Sequence, residues 1–230
     1  MQNKWIGLFL VAVFCLGIYA ALVISPPGVD SGQNLQDKTE HMSWFPQERA
    51  LFDFTLTTHE GNTFGVKDLK DKWTLAFVGY TFCPDICPVT LAEIKNVYPE
   101  LLASVKQTPL QIWFLSVDPK RDTVTRLNEY INFFNPAFIA TTGPHDQLFP
   151  LVRSMGMMYS LSESTDNPNY LVDHSASIVV INPSGNVVGR FKPKQEVGQL
   201  AISDMEQITA DVPILLEHSI TNAWFSFALC

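Results

Sequence analysis

Residues Trp73 to Pro88 read WTLAFVGYTFCPDICP. The run from Trp73 to Tyr80 is nearly all apolar, too short for a typical helix and followed by turn residues, which predicts a central strand buried on both faces. A helical stretch follows from about Pro88 to Val105. Pro88 suits the first helical position, because its missing N–H would have no intrahelical partner, and this puts Cys87 at or near the N-cap. Two cysteines therefore lie where a buried strand gives way to a helix, the edge of an open α/β sheet at which ligands bind.

Outward from this stretch, Gln111 to Val117 (QIWFLSV) reads as a second buried strand, and Thr123 to Phe134 carries helix-period apolar residues at Val124, Leu127, Ile131 and Phe134. Strand, helix, strand, helix implies a right-handed parallel unit. His145 to Met155 reads as a short helix and Ser162 to Asn169 as a polar, mobile loop. Ser177 to Ile181 and Val187 to Phe191 form a hairpin about Asn182-Pro183-Ser184-Gly185-Asn186, and Gln195 to Ala210 closes the domain as a helix. Upstream, Phe52 to Thr57 and Thr63 to Val66 pair across His59-Glu60-Gly61-Asn62. The expected class is α/β, a thioredoxin-like fold with an N-terminal β-hairpin and an inserted hairpin.

One transmembrane helix is expected to precede it. Trp5 to Ile24 is a run of 20 residues without a charge, which at ~1.5 Å per residue reaches ~30 Å, the thickness of a bilayer's hydrocarbon core. Lys4 on one side and Asp30, Asp37 and Glu40 on the other predict a cytoplasmic N-terminus. The apolar run exceeds a signal peptide's core and no small-residue cleavage pattern follows it, so an uncleaved anchor is expected. No Arg-rich transit peptide precedes it, which favours a single-pass protein of the bacterial inner membrane with a periplasmic domain over a mitochondrial inner-membrane one. The organisation is then anchor 5–24, tether 25–50, folded domain 51–212 and a tail 213–230.

Composition narrows the partners. The 230 residues carry 15 Lys+Arg against 23 Asp+Glu, a net charge of -8 that repels phosphate backbones and excludes nucleic acid as an obvious partner. The four cysteines (Cys15, Cys83, Cys87, Cys230) are too few for a disulfide framework in so long a chain. Cys15 reads as an apolar helix residue, and Cys230 is given no role.

Three residues separate Cys83 from Cys87, one more than in a thioredoxin-type dithiol. A cysteine at a helix N-terminus is stabilised as thiolate by the dipole and by free N–H groups. Two thiolates turned to one centre favour a soft ion, copper(I) above all. His174 precedes an apolar strand, where thioredoxin-type oxidoreductases carry a proline facing the dithiol; no proline occurs between Asn169 and Ile181. From these residues alone, metal binding, redox exchange and a structural disulfide all stay open. Asp118 ends the second strand at the same sheet edge and either orients the site, completes the coordination of copper(II), or, like Asp122, caps the next helix. Asp85 reads as an exposed loop carboxylate, and His41, His59, His145 and His218 as solvated histidines.

GYTFCPDICPVTLAEI (Gly79 to Ile94), SVDPKRDT (Ser116 to Thr123) and YLVDHSASIVVINPSG (Tyr170 to Gly185) stand in an order that resembles the Sco/SenC proteins, membrane-anchored thioredoxin-like copper proteins required for cytochrome c oxidase assembly. The resemblance runs from Trp5 to about Ala210, and the tail from Pro213 departs from it. It implies Cys83, Cys87 and His174 as ligands of one copper ion, Cu(I) or Cu(II); Asp118, from its place at the sheet edge, is a candidate for the groups around them. The first role that the resemblance suggests is that of a metallochaperone, and it does not by itself choose between that and an enzyme. Its partners would be the copper-site subunit of the oxidase and another periplasmic copper carrier. The alternative it leaves is a thiol-disulfide oxidoreductase that uses Cys83 and Cys87 as a redox pair, to reduce the cysteines of the oxidase site or of other extracytoplasmic proteins.

Overall fold

A computed structural model describes residues 33–105, 108–161, 167–195, 198 and 200–227, with 13, 14 and 16; of 218–227 it describes the backbone. The predicted anchor lies, but for three residues, outside the described part. Among the described residues no helix is long and apolar enough to cross a membrane. The chain divides into two compact units, Met1–Asn34 and Leu35–Cys230, and the fold is that of the second.

Its strands are β1 (Ser43–Ala50), β2 (Thr55–Thr58), β3 (Thr63–Gly65), β4 (Trp73–Gly79), β5 (Leu110–Ser116), β6 (Ile139–Thr142), β7 (Tyr159–Leu161), β8 (Val172–His174), β9 (Ile178–Ile181) and β10 (Asn186–Phe191). The helices are α1 (Ile86–Ala103), α2 (Val124–Phe134), α3 (His145–Ser154) and α4 (Met205–Phe227). Eight strands form one sheet in the order β1-β10-β9-β4-β5-β6-β2-β3, while β7 and β8 pair in a separate two-stranded sheet. β4, β5 and β6 are parallel, β9 runs antiparallel to β4, and both predicted hairpins, β2–β3 and β9–β10, are present.

All seven residues of β4 and of β5 are buried, because side chains alternate between two covered faces. On one face Leu75, Phe77, Ile112 and Phe114 pack with Leu91 and Ile94 of α1, Leu127 and Ile131 of α2, and Ile208 and Val212 of α4. On the other, Ala76, Val78, Trp113 and Leu115 pack with Phe54, Leu56 and Phe64 of the first hairpin and Leu148 and Leu151 of α3. The parallel unit thus holds the ends of β4 and β5 rigidly, and the cysteines follow β4.

Several sequence expectations require correction. Residues 43–50, read as tether, form edge strand β1 against β10. Pro46, Glu48 and Arg49 disguised it, since an edge strand tolerates proline and need not alternate. The third parallel strand β6 and the β7–β8 pair were not foreseen. The closing helix starts at Met205, not Gln195: the chain before it is extended, bridging Pro193 to Ser203 and passing Gly198 at φ +83°, a conformation that suits glycine and interrupts a helix. That helix continues through Pro213, and Leu215 and Leu216 at the start of the supposed tail are buried in the core. Neither Asp118 nor Asp122 caps α2. Thr123 does, its hydroxyl accepting from the Arg126 N–H at 3.2 Å.

The entry of the chain into the domain is pinned by one carboxylate. Asp211 of α4, itself buried, accepts from the N–H groups of Glu40 at 3.1 Å, His41 at 2.9 Å and Met42 at 2.8 Å. Asp211→Ala strands these donors and should lower the unfolding free energy by about 3 kcal/mol in urea titrations, whereas a loss under about 0.5 kcal/mol would show that water replaces the carboxylate.

Candidate metal centre

Where β4 ends, the backbone must turn sharply into α1, and a buried carboxylate holds the turn. Asp122 accepts from the Thr81 N–H at 2.9 Å, the Thr81 hydroxyl at 2.7 Å and the Ser116 hydroxyl at 2.6 Å. This ties the cysteine loop to the end of β5. Burial pushes the Asp122 carboxyl up from its ordinary value, against the hydrogen bonds from Ser116 and Thr81.

The helix begins at Ile86, with Asp85 at its N-cap making no side-chain cap bond, so Cys87 lies in the first turn, near the cap as expected. Before it, the Cys83 N–H donates to the Tyr80 carbonyl at 3.2 Å, a turn that brings the loop round from β4. Cys87 is wholly buried, Cys83 half-buried, and both are free thiols. Gly79 permits the arrangement: a Cβ there would lie 2.7 Å from Cys87 Sγ and 2.8 Å from the Phe114 ring.

His174 arrives from a different direction, as the last residue of β8, paired with Tyr159 of β7. Its Nε2 is 3.4 Å from Cys87 Sγ. Its Nδ1 faces the Ser175 carbonyl at 3.3 Å; that oxygen can only accept, so a proton on Nδ1 is satisfied there, and Nε2 is the nitrogen placed to meet the sulfurs. Phe77 and Tyr80 hold the ring edge-on at 6.1 Å and 5.9 Å. Among the described residues, Cys83, Cys87 and His174 form the one group of potential ligands whose donor atoms all lie within 4.8 Å of one another.

The two sulfurs share one negative charge. The hydrogen bond from Cys87 brings the Cys83 thiol down to about 4, with burial opposing and with His174 and the backbone N–H groups of Cys87 and Asp85 assisting. Burial, then the hydrogen bond to Cys83 and its charge, pushes Cys87 far up. The expectation of two thiolates is thus met at Cys83 alone; Cys87 sits too deep to ionise without a cation beside it. Two sulfurs and an imidazole form a donor set for a soft ion.

Asp118 is buried at the same sheet edge but outside this group, its carboxylate taken by the Arg121 Nε and the Tyr170 hydroxyl. Asp85 is exposed, as expected. His59 is not solvated: it is buried, and its Nδ1 accepts from the Ala140 N–H at 3.2 Å. His145 opens α3 and bonds the Tyr159 hydroxyl at 2.7 Å. Sequence reasoning did not find the roles of Tyr80, Arg121, Asp122 and Tyr170, although SVDPKRDT, quoted for its likeness, carries two of them.

The fold and the site together define a class: a thioredoxin-like protein whose dithiol is completed by an imidazole. The chain belongs to the SCO1/SenC family, whose model matches residues 46–210. It is 30% identical over 172 residues to a Stutzerimonas stutzeri protein named for copper binding, covering 75% of this chain and 83% of that one. It is 32% identical over 158 residues to the mitochondrial SCO2 homolog of Bos taurus, covering 69% of this chain and 59% of the relative, so it spans only part of that longer protein. Among solved structures it resembles copper-bound ScoI of Arabidopsis thaliana (30% identity, TM-score 0.61, 73% of this chain and 98% of that one). Copper-bound ScoI of Bradyrhizobium japonicum is similar too (29%, TM-score 0.59, 73% and 99%).

Two outcomes are expected. Gly79→Ala should destabilise the fold by about 1–3 kcal/mol and shift the Cys87 and Phe114 resonances; an unchanged melting temperature would mean that the sulfur has room to move. In the metal-free reduced protein, a lowered Cys83 value means the thiolate persists above it and is lost as pH falls through it. Alkylation of Cys83 should therefore stay nearly constant from pH 8 to pH 6 and fall near pH 4, and Cys87→Ala should move that fall toward the ordinary thiol range.

Proposed function

We propose that this chain is a copper metallochaperone. It binds one copper ion through Cys83, Cys87 and His174 and delivers it to the dinuclear copper site of cytochrome c oxidase during assembly. The observation that carries the reading is the convergence of two sulfurs and one imidazole nitrogen within 4.8 Å, a donor set suited to copper(I). The copper-bound relatives support the choice of ion, and family membership supports the oxidase as recipient. The run Trp5 to Ile24 is the anchor in this reading, and it holds the domain on the periplasmic side of a bacterial inner membrane.

The chain's own groups divide the work. Cys83, half-exposed and already ionised, is the donor that an incoming ion meets first and that a receiving protein's ligand replaces first. Cys87, sealed in the core, gives up its proton as the ion's charge replaces that of the proton. His174 presents a neutral nitrogen, so that two thiolates and a monovalent ion leave a single net negative charge. Nothing in this sequence of steps requires covalent catalysis.

A thiolate at Cys83 beside a protonated Cys87 also favours a second reading, thiol-disulfide exchange, in which Cys83 attacks and Cys87 resolves. That chemistry needs no imidazole. An anaerobic copper(I) competition titration of the reduced protein from Ser25 onward separates the two. One tight equivalent, weakened at least tenfold or ~1.4 kcal/mol in both His174→Ala and Cys83→Ser, supports the chaperone. Binding unaffected by His174→Ala, together with disulfide reduction by both proteins, supports exchange.

A further inference from the structure

The three candidate ligands come from two segments that share no sheet. Cys83 and Cys87 follow β4 of the main sheet, and His174 ends β8, a three-residue strand paired only with three-residue β7. Such a two-stranded element is marginal on its own. Its far end is held, because β8 runs within a few residues into β9, whose Ile178 pairs with Phe77 of β4, and Val172 packs in the core with Val78; the stretch that leads into it, from Pro168, needs a hold of its own against the cysteine loop.

Arg121 makes that connection. Its Nε donates to the Asp118 carboxylate and its Nη1 donates to the Pro168 carbonyl at 3.1 Å. Its guanidinium carbon lies 3.5 Å from the centre of the Tyr170 ring, 4.9 Å from Phe82 and 5.5 Å from Tyr80. The Tyr170 hydroxyl donates to the other oxygen of Asp118. Pro168 and Tyr170 belong to the segment leading into β8; Tyr80 and Phe82 belong to the cysteine loop. Tyr80 in turn meets the His174 ring edge-on. The Arg121 side chain is 11% exposed and that of Asp118 is 1% exposed, a depth at which an ion pair adds little net stability over an apolar pair and is better suited to fixing one arrangement.

We propose that Arg121 is a positioning residue: with Asp118 and Tyr170 it clasps the His174 segment to the cysteine loop, and so determines whether the imidazole reaches the sulfurs as third donor. The geometry stands independently of the ion, while the consequence for copper rests on the function proposed above. Lysine cannot substitute, because it keeps the charge but loses the planar surface that stacks on Tyr170 and the fork that spans Asp118 and Pro168.

The test uses the reduced protein from Ser25 onward. In the metal-free state, nuclear Overhauser contacts between the His174 and Tyr80 rings should be present in the unmodified protein and lost in Arg121→Lys, with the Cys87 amide resonance and the melting temperature little changed. In copper(I) competition, Arg121→Lys should weaken binding about tenfold, as His174→Ala does, and the double variant should show no further loss, because both changes remove the same donor. Retention of the ring contact in Arg121→Lys, or additive losses in the double variant, overturns the proposal. If Arg121→Lys does not fold, Tyr170→Leu removes the clasp from its other side and should lose the same ring contact. Collapse of both variants assigns the pair to the general stability of the fold and also overturns it. If the unmodified protein binds no copper, the proposed function fails, while the ring contact still decides the clasp.

Discussion

The Cys87 sulfur is set in the hydrophobic core, out of reach of water, and much of the site follows from that. A buried sulfur resists ionisation, so the pair's negative charge falls on Cys83 at the rim. A buried sulfur needs room beside the central strand, so the residue facing it is glycine, with Phe114 closing the other side. A buried sulfur cannot recruit donors from solvent, so its third partner must be delivered by the fold. The preparation for an ion lies in this unmet charge at least as much as in the identity of the ligands.

Delivery is the harder problem, because the donors belong to separate pieces of secondary structure. The parallel unit fixes the cysteine loop through Asp122, which binds the loop's first residues to the end of β5. The histidine rides on a short pair of strands with its own hydrogen bonding. Polar groups buried at the seam, Asp118 and Arg121 among them, sit where an apolar core would have served stability equally well. They give directional contacts, whereas apolar packing tolerates sliding.

The extent to which this was readable in the sequence follows the range of the interactions. β4, β5, α1 and α2 announce themselves by local pattern, since continuous burial and helical periodicity are written in consecutive residues. The three residues whose donor atoms converge were singled out through three motifs in order, not through any one histidine. β1 was missed because an edge strand with one open side needs no apolar alternation, and SWFPQERA shows little. β7 and β8 were missed because three-residue strands leave no period to detect. The start of α4 was misplaced because a single left-handed glycine, Gly198, outweighs the helical pattern around it. His59 looked solvated because its turn is polar, yet that turn folds onto β6, a contact visible only in three dimensions.

Strand β1 closes one end of the eight-stranded sheet, and β3, three residues long, ends the other. Without β1, the outer rim of β10 would be a row of free backbone donors and acceptors open to strand addition by a second molecule. With it, the outermost rim carries a proline and two opposite charges, Pro46, Glu48 and Arg49, and a register shift between Trp44 and Arg49 that breaks its regularity. Such a rim is a poor template for a foreign strand. The fold is thereby discouraged from pairing, edge to edge, with its own copies, and the cysteine loop, at the end of a central strand, stays clear of that rim.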